Sequence, residues 1–181
     1  WQSSSTMLSN GTATYTNFPL RGGLVSSGPF VYACWNDDRT GSHQIYFNSS
    51  SNNGVAWGTD KQIDAGAGPR LQPAISAQNN YVYIAWADNR TTGSYTNDIF
   101  FDYSSDGGAT WHSPDIGPLN LLPAVGATVV DLASDGSYVY ATWFDSRSSG
   151  SPGLGDVYVA RSNDHGATWQ PDVHINTGTA P

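Results

Sequence analysis

Glutamate is absent from the 181-residue sequence, and lysine occurs once, at Lys61, while aspartate supplies all 15 acidic residues. Glutamate and lysine are good helix formers, whereas aspartate and glycine favour turns and caps. With 20 glycines in addition, the composition argues against a helical protein. The formal net charge of −8 also lacks the basic footprint needed to bind nucleic acid or an anionic membrane surface.

Cysteine occurs only at Cys34, so no disulfide can form within the chain. Its place in the strand-like run 31–35 favours a buried structural thiol over a reactive one. No apolar run approaches the roughly 20 residues of a membrane-spanning helix, and we expect no membrane insertion.

Metal and cofactor sites find little support in the sequence. The four histidines lack metal-ligand spacing, so no metal site is predicted. We expect one of them, His165, to be exposed in a turn. Acidic loops offer the oxygen ligands that calcium prefers, but no complete calcium-binding pattern occurs. We therefore predict no cofactor, with calcium as the alternative.

A threefold repeat dominates what is present. Each copy contains a Val-Tyr-x-x-Trp run followed by an Asp-x-Arg segment. The runs end at Trp35, Trp86 and Trp143, with spacings of 51 and 57 residues. Repeats of this length predict a solenoid, a propeller or an array.

A second motif follows each run and has the pattern S-x-D-x-G-x-T-W, known as an Asp-box. It reads SSDGGATW over 104–111, SNDHGATW over 162–169, and in a degenerate form SSNNGVAW over 50–57. Its aspartates can accept bonds from backbone N–H groups of a turn, and its glycines permit positive φ. The tryptophans are expected to bury apolar area between units.

Each unit contains four short aromatic or β-branched runs bounded by turn residues, which predicts four strands, the last beginning at the motif tryptophan. Four strands in a unit of this length predict the antiparallel blade of an all-β propeller. The predicted blades cover 21–66, 67–120 and 121–181. Residues 1–20 are expected to form the outer strands of a preceding blade.

The Asp-boxes and the W-x-D-x-R runs resemble those of the sialidase (neuraminidase) superfamily over nearly the whole chain. The resemblance implies that each box is a folding device between the third and fourth strands of a blade. The box residues to which we assign this structural role are Asn52, Gly54, Trp57, Asp106, Gly108, Trp111, Asp164, Gly166 and Trp169. The resemblance also implies a glycan ligand and a secreted or cell-surface protein. Sequons at Asn10, Asn48 and Asn89 would permit N-glycosylation there.

The Asp-x-Arg segments and the boxes are expected at opposite ends of the blades, because the second and third strands are antiparallel. In the family, the Asp-x-Arg end holds the substrate site, where arginines bind a carboxylate. The candidate ligand-binding residues are Arg39, Arg90 and Arg147 with Asp37, Asp88 and Asp145. The alternative is that each arginine pairs with the aspartate of its own motif and braces the loop.

No catalytic residue is predicted. Sialidase chemistry, as the resemblance implies it, needs a tyrosine nucleophile activated by glutamate, and this chain has no glutamate. The Arg-Ile-Pro signature is absent as well. We therefore expect a non-catalytic extracellular propeller module with a glycan-binding or structural role. The alternative is a fragment of an exo-α-sialidase whose glutamate lies in missing blades.

The ring of a propeller typically has about four to eight blades, so about three and a half blades cannot close it. The chain also starts at Trp1 without an initiator methionine, and we expect it to be processed or part of a longer protein. The missing part would be supplied by further blades of a longer chain, by a second copy that completes the ring, or by end-to-end assembly through edge strands.

Overall fold

A computed structural model of the protein describes residues 22–64, 70–90, 97–120, 126–147 and 155–176. All helix or strand structure in these ranges is β-strand. The strands are β1 (Gly22–Ser27), β2 (Phe30–Asp37), β3 (Gln44–Ser50), β4 (Lys61–Gln62), β5 (Arg70–Gln78), β6 (Tyr81–Asp88), β7 (Asp98–Ser104), β8 (Thr128–Asp135), β9 (Tyr138–Asp145), β10 (Asp156–Ser162) and β11 (Val173–His174). The half blade expected over 1–20 lies outside the described residues. Within the described ranges, no helix is long and apolar enough to cross a membrane.

The strands form three antiparallel sheets in sequence order, which we call the first, second and third blades. They contain β1–β4, β5–β7 and β8–β11. In the second blade, an isolated bridge between Phe101 and Ile116 takes the place of a fourth strand. The all-β propeller fold predicted from the repeat is confirmed, and the described blades form part of a ring.

The prediction that the fourth strand begins at the motif tryptophan is wrong. β4 and β11 begin four residues after Trp57 and Trp169. The indole N–H of each tryptophan donates back to a glycine carbonyl of its own box, at 3.1 Å for Trp57 and 3.0 Å for Trp169. The tryptophan therefore belongs to the turn, and the fourth strand forms only beyond it.

The core lies in the two seams between neighbouring blades. The middle strand β6 serves both seams, because successive side chains of a strand point to opposite faces. Val82, Ile84 and Trp86 pack into the first seam, while Tyr83 and Ala85 pack into the second. Both faces of β6 are therefore buried, which explains its continuous apolar sequence.

The third blade differs from the second, because only one face of its strand β9 is buried. In β9, every second residue is buried, beginning with Val139 and ending with Asp145. Tyr138 and Tyr140 point to the other face and are 43% and 38% exposed. No described blade packs on that face.

Candidate functional site

The three Asp-x-Arg segments form the same local structure at the end of the second strand of each blade. Each aspartate accepts the backbone N–H of the arginine two residues later, at 2.9 Å for Asp37 and 2.8 Å for Asp88 and Asp145. The guanidinium group then folds back onto the same carboxylate. The distances are 2.6 Å in Arg39–Asp37, 2.7 Å in Arg90–Asp88 and 2.8 Å in Arg147–Asp145.

A second carboxylate, which sequence reasoning missed, binds each of these arginines from the other side. Asp60, Asp115 and Asp172 lie 2.8, 2.7 and 2.7 Å from the guanidinium groups of their blades. Each follows the box tryptophan by three or four residues. The repeat of an aspartate at that spacing was the signal that could have identified them.

An aromatic side chain of the third strand completes the arrangement. The guanidinium carbons of Arg39, Arg90 and Arg147 lie 4.1, 4.2 and 4.0 Å from the ring centroids of Tyr46, Phe100 and Tyr158. This stacking is a cation–π interaction. We call the repeated unit of arginine, two aspartates and aromatic ring the arginine clamp.

The electrostatics of the first clamp agree with a tightly paired arginine. The hydrogen bond to Asp37 raises the pKa of Arg39 above its ordinary value. Burial alone would raise the pKa of Asp37, but hydrogen bonds from Arg39 lower it below its usual range. Both groups therefore stay charged at neutral pH.

The clamps leave little of each guanidinium for a ligand. The arginine side chains of the three clamps are only 17%, 20% and 9% exposed. A ligand carboxylate would have to displace one of the two aspartates. The geometry favours the bracing interpretation, and ligand binding by the three arginines and their motif aspartates stays a prediction.

A further arginine at this end of the blades does not belong to the repeat. Arg70, at the start of β5, is fully buried, with its Nε 2.8 Å from Asp64 and 3.2 Å from Asp88. Ala127 holds the matching position in the third blade, since its N–H donates to Asn97 as that of Arg70 donates to His43. Arg70 thus joins the end of the first blade to the second, and no motif predicted it.

Burial strongly affects Asp64, the partner of Arg70. It raises the pKa of Asp64 to about 6, although the N–H of Ile45 and the charge of Arg70 act in the opposite direction. No three histidine, cysteine, aspartate or glutamate side chains come together to hold a metal ion anywhere in the described ranges.

The Asp-boxes lie at the opposite end of the blades. In the second blade, Asp106 accepts bonds from the N–H of Thr110 at 2.8 Å, the hydroxyl of Thr110 at 2.6 Å and that of Ser104 at 2.7 Å. The bonds from Thr110 are the main reason that the pKa of Asp106 falls to about 2. Asp164 repeats this pattern in the third blade.

The degenerate box of the first blade keeps the same turn without a charge. The side-chain oxygen of Asn52 accepts from the hydroxyl of Ser50 at 2.9 Å and from the N–H of Ala56 at 2.8 Å. The turn therefore requires a side-chain oxygen that accepts these hydrogen bonds, and the neutral amide oxygen of Asn52 replaces the carboxylate oxygen.

The boxes also form the seams between blades. Trp111 meets the ring of Phe47 in the preceding blade edge-on at 5.0 Å, and Trp169 meets Phe101 at 4.9 Å. Gly108, at φ +84°, approaches the same Phe47 so closely that a Cβ atom would collide with the ring. A box glycine therefore serves both the turn and the packing of the neighbouring blade.

The expectation that His165 is exposed is wrong. The imidazole of this box residue stacks on Tyr81 of the preceding blade, with ring centroids 3.9 Å apart. Its Nδ1 lies 3.0 Å from the hydroxyl of Tyr83. A residue in a surface turn is half-buried here because the preceding blade packs against that turn.

The sequon at Asn48 is not available in the folded protein. Asn48 lies in β3 and is only 2% exposed. Its amide donates to Gly58 and Asp60, both at 3.0 Å. A glycan at this position would disrupt the first blade.

Comparison with known proteins supports the fold and leaves the activity open. No protein-family model matches the sequence, and no curated protein does. An α-L-arabinanase from Penicillium chrysogenum, complexed with arabinobiose, is similar with a TM-score of 0.65 and 18% identity over 88% of this chain and 50% of that one. A mutant α-L-arabinofuranosidase from Fusarium graminearum in complex with an iminosugar inhibitor has a TM-score of 0.64 and 14% identity over 86% of this chain and 48% of that one.

A sialidase from Streptococcus pneumoniae is also similar, with a TM-score of 0.50 and 15% identity over 75% of this chain and 19% of that one. At such identities the likeness shows the fold alone. The class defined by fold is therefore a β-propeller like that of several glycoside hydrolases. The resemblance to sialidases holds for the propeller fold and does not single out the sialidases among these enzymes. The chain spans about half the length of the arabinanase and of the arabinofuranosidase.

Proposed function

We propose that this chain is a non-catalytic, glycan-binding part of a β-propeller. The observation that carries the non-catalytic part is the arginine clamp. It occurs in the same form in all three blades, and each guanidinium is engaged by two carboxylates. A reaction centre instead needs different groups contributed by different blades. The lack of glutamate in the chain supports the same proposal.

The glycan part of the proposal rests on the fold. The solved structures with the same fold include enzymes named for arabinose-containing and sialic-acid-containing substrates, one of them in complex with arabinobiose. Fold does not determine function, so this class of ligand requires a direct test.

A glycan array together with fluorogenic sialosides and arabinosides tests both parts. We expect binding to at least one glycan and no hydrolysis above the blank. Hydrolysis of either substrate would overturn the non-catalytic proposal. An array without any bound glycan would overturn the binding proposal.

The clamp itself can be separated from ligand binding. Arg147→Ala is expected to lower the thermal stability, because the paired aspartates Asp145 and Asp172 lose their cation, while glycan binding is unchanged. Loss of binding at unchanged stability would instead assign the arginine to the ligand site.

The alternative is a part of an exo-α-sialidase whose catalytic glutamate lies in other blades. It is favoured by the share of the similar structures that the chain spans, which is about half or less. If a longer protein containing this chain hydrolyses a sialoside and the chain alone does not, the alternative is correct.

We also propose that another blade covers the open face of the third blade, supplied by a longer chain or by a second copy. The support is that Tyr138 and Tyr140 are exposed. Tyr83, which matches Tyr140 in the second blade, is fully buried, and its hydroxyl bonds to the Asp-box of the third blade. Light scattering after size exclusion distinguishes the two sources, since a stable monomer excludes the second copy.

We propose a secreted or cell-surface location, which fractionation of the source cells tests.

A further inference from the structure

The two seams between blades share one aromatic frame at the Asp-box end. In the first seam Phe30 stacks on Tyr32, with ring centroids 6.2 Å apart and planes 5° apart. In the second seam Tyr81 stacks on Tyr83 in the same way, at 6.1 Å and 11°. The two tyrosine–aromatic pairs occupy the same positions of the repeat.

The box of the following blade faces this frame with a different residue in each seam. Gly107 and His165 hold the same box position, and their N–H groups donate to Asn80 and Ser137 at 2.7 and 2.9 Å. In the second seam the imidazole of His165 covers Tyr81. In the first seam Gly107 has no side chain to cover Phe30.

A cleft of about 650 Å³ is present in the first seam. We call it the first cleft. Its lining includes Phe30, Tyr32, Asn52, Trp57, Asn80 and Gly107. Residues from both blades contribute, so the cleft depends on the packing of the repeat and not on one motif.

The hydroxyl of Tyr32 distinguishes the first cleft most clearly. Tyr32 is 0% exposed, and its hydroxyl has no hydrogen-bond partner among the described residues. It lies 3.5 Å from the point where a Cβ atom of Gly107 would stand. The matching hydroxyl of Tyr83 bonds to His165. Buried hydroxyls are normally paired, and leaving one unpaired is costly, so an occupant that offers an acceptor to Tyr32 gains stability.

The walls of the first cleft define the chemistry of that occupant. Phe30 and Trp57 offer aromatic rings, while serine hydroxyls and the amides of Asn52 and Asn80 offer neutral donors and acceptors. Among the described residues, no lysine or arginine lines the cleft, and the one carboxylate there, that of Asp106, is bound within its own turn. Such walls suit a neutral ring with one apolar face and polar edges.

We propose that the first cleft binds a neutral sugar residue. The C–H face of the ring stacks on Phe30 or Trp57, because those hydrogens are partly positive and the aromatic face is partly negative. A sugar oxygen accepts the hydrogen bond of the Tyr32 hydroxyl, in the place that Nδ1 of His165 takes beside the Tyr83 hydroxyl. The ligand class rests on the proposed function, whereas the position rests on the seam geometry alone.

The test uses methyl glycosides of glucose, galactose, arabinose and N-acetylglucosamine, with binding followed by NMR titration. In Gly107→His, the introduced ring copies the second seam and takes the space beside the Tyr32 hydroxyl, where the sugar oxygen would bind. Since His165 has φ +59° and Gly107 has φ +73°, a histidine is tolerated there. The matched control is Asn53→His, which changes the same box position of the first blade, at φ +58°, without lining the cleft.

We expect the wild type and Asn53→His to bind at least one glycoside with equal Kd. Gly107→His should weaken that binding about tenfold or more, and Tyr32→Phe, which removes one hydrogen bond, about threefold to tenfold. Thermal unfolding shows that each variant is folded.

Imidazole is a second probe, since it is the ring of the His165 side chain and carries the nitrogen that bonds to the Tyr83 hydroxyl. If glycosides bind equally well to the wild type and to Gly107→His, the site is wrong and the proposed function stands. If imidazole binds to the wild type but not to Gly107→His, while no glycoside binds, the cleft is a ligand site but the sugar proposal is wrong, and the glycan array alone decides the proposed function. If neither probe binds, the inference is overturned.

Discussion

The first and second seams are built from the same repeat but filled differently. Both have a box glycine at positive φ against a phenylalanine and a box tryptophan on the same ring. They differ at individual polar positions: Arg70 in the first seam matches Ala127 in the second, and Gly107 matches His165. The shared positions are those that the turn and the ring packing require, whereas the differing ones are free to give each seam its own chemistry.

The largest expected effect concerns Arg70. Arg70→Met leaves the buried carboxylate of Asp64 without its cation, which typically costs about 3–5 kcal/mol, whereas Asp88 keeps its bond to Arg90. Urea unfolding at pH 7 measures the loss. The loss should shrink as the pH falls towards 5, because Asp64 with its raised pKa then becomes protonated. Arg161→Met, on the exposed side of β10, is the control, and an equal loss there would contradict the role of Arg70 in the first seam.

The box glycines are expected to come next. Gly108→Ala combines strained backbone at φ +84° with a collision against Phe47, so we expect about 3 kcal/mol or more of destabilisation. Gly54→Ala has a similar φ of +81° but no neighbouring atom within 4 Å, and about 1 kcal/mol is expected. Chemical denaturation of both variants separates backbone strain from seam packing. Equal losses of unfolding free energy in the two variants would show that the contact of Gly108 with Phe47 contributes nothing to stability.

The first and second blades also differ at one buried position of the third strand. Asn48 in the first blade is matched by Asp102 in the second, where burial raises the pKa of the carboxyl to about 8. The native state therefore keeps a proton that the unfolded chain releases near pH 4, so stability is lost as the pH rises from about 4 to 8.

Asp102→Asn should remove this dependence of the unfolding free energy on pH, whose slope is at most about 1.4 kcal/mol per pH unit. The variant gains stability at pH 8 and changes little near pH 4. Unfolding free energies measured across this range test the prediction. The reciprocal variant Asn48→Asp should introduce a slope of the same sign, and a pH-independent difference in both variants would contradict the assignment.

The smallest expected effect comes from exchanging the box residues that face the aromatic frame. His165→Gly removes the stacking on Tyr81 and leaves the Tyr83 hydroxyl unpaired, at a cost of about 1–2 kcal/mol. It should also open the second seam to imidazole, which an NMR titration detects. Gly107→His is expected to change stability by less than about 1 kcal/mol, and a large loss would show that the two seams are not equivalent.

Much of the fold was accessible from the sequence because its signals are local and repeated. The Val-Tyr-x-x-Trp runs have the alternation and β-branched content of strands, and the S-x-D-x-G-x-T-W boxes dictate a turn. The fourth strands were misplaced, since the indole of Trp57 returns to its own turn. The second aspartates of the clamps, such as Asp115, were missed because they approach the arginine from a distance of about twenty-five residues along the chain.

The sequence by itself determined the repeat, the strands and the boxes, since each depends on contacts between residues close along the chain. Only the tertiary structure decided which surface residues become buried, because residues of neighbouring blades meet there, some of them about eighty residues apart along the chain. His165 is covered by the preceding blade, Arg70 is enclosed between two carboxylates, and the hydroxyl of Tyr32 lies in a cleft between two blades. These properties follow from the approach of distant segments, which a linear pattern does not encode.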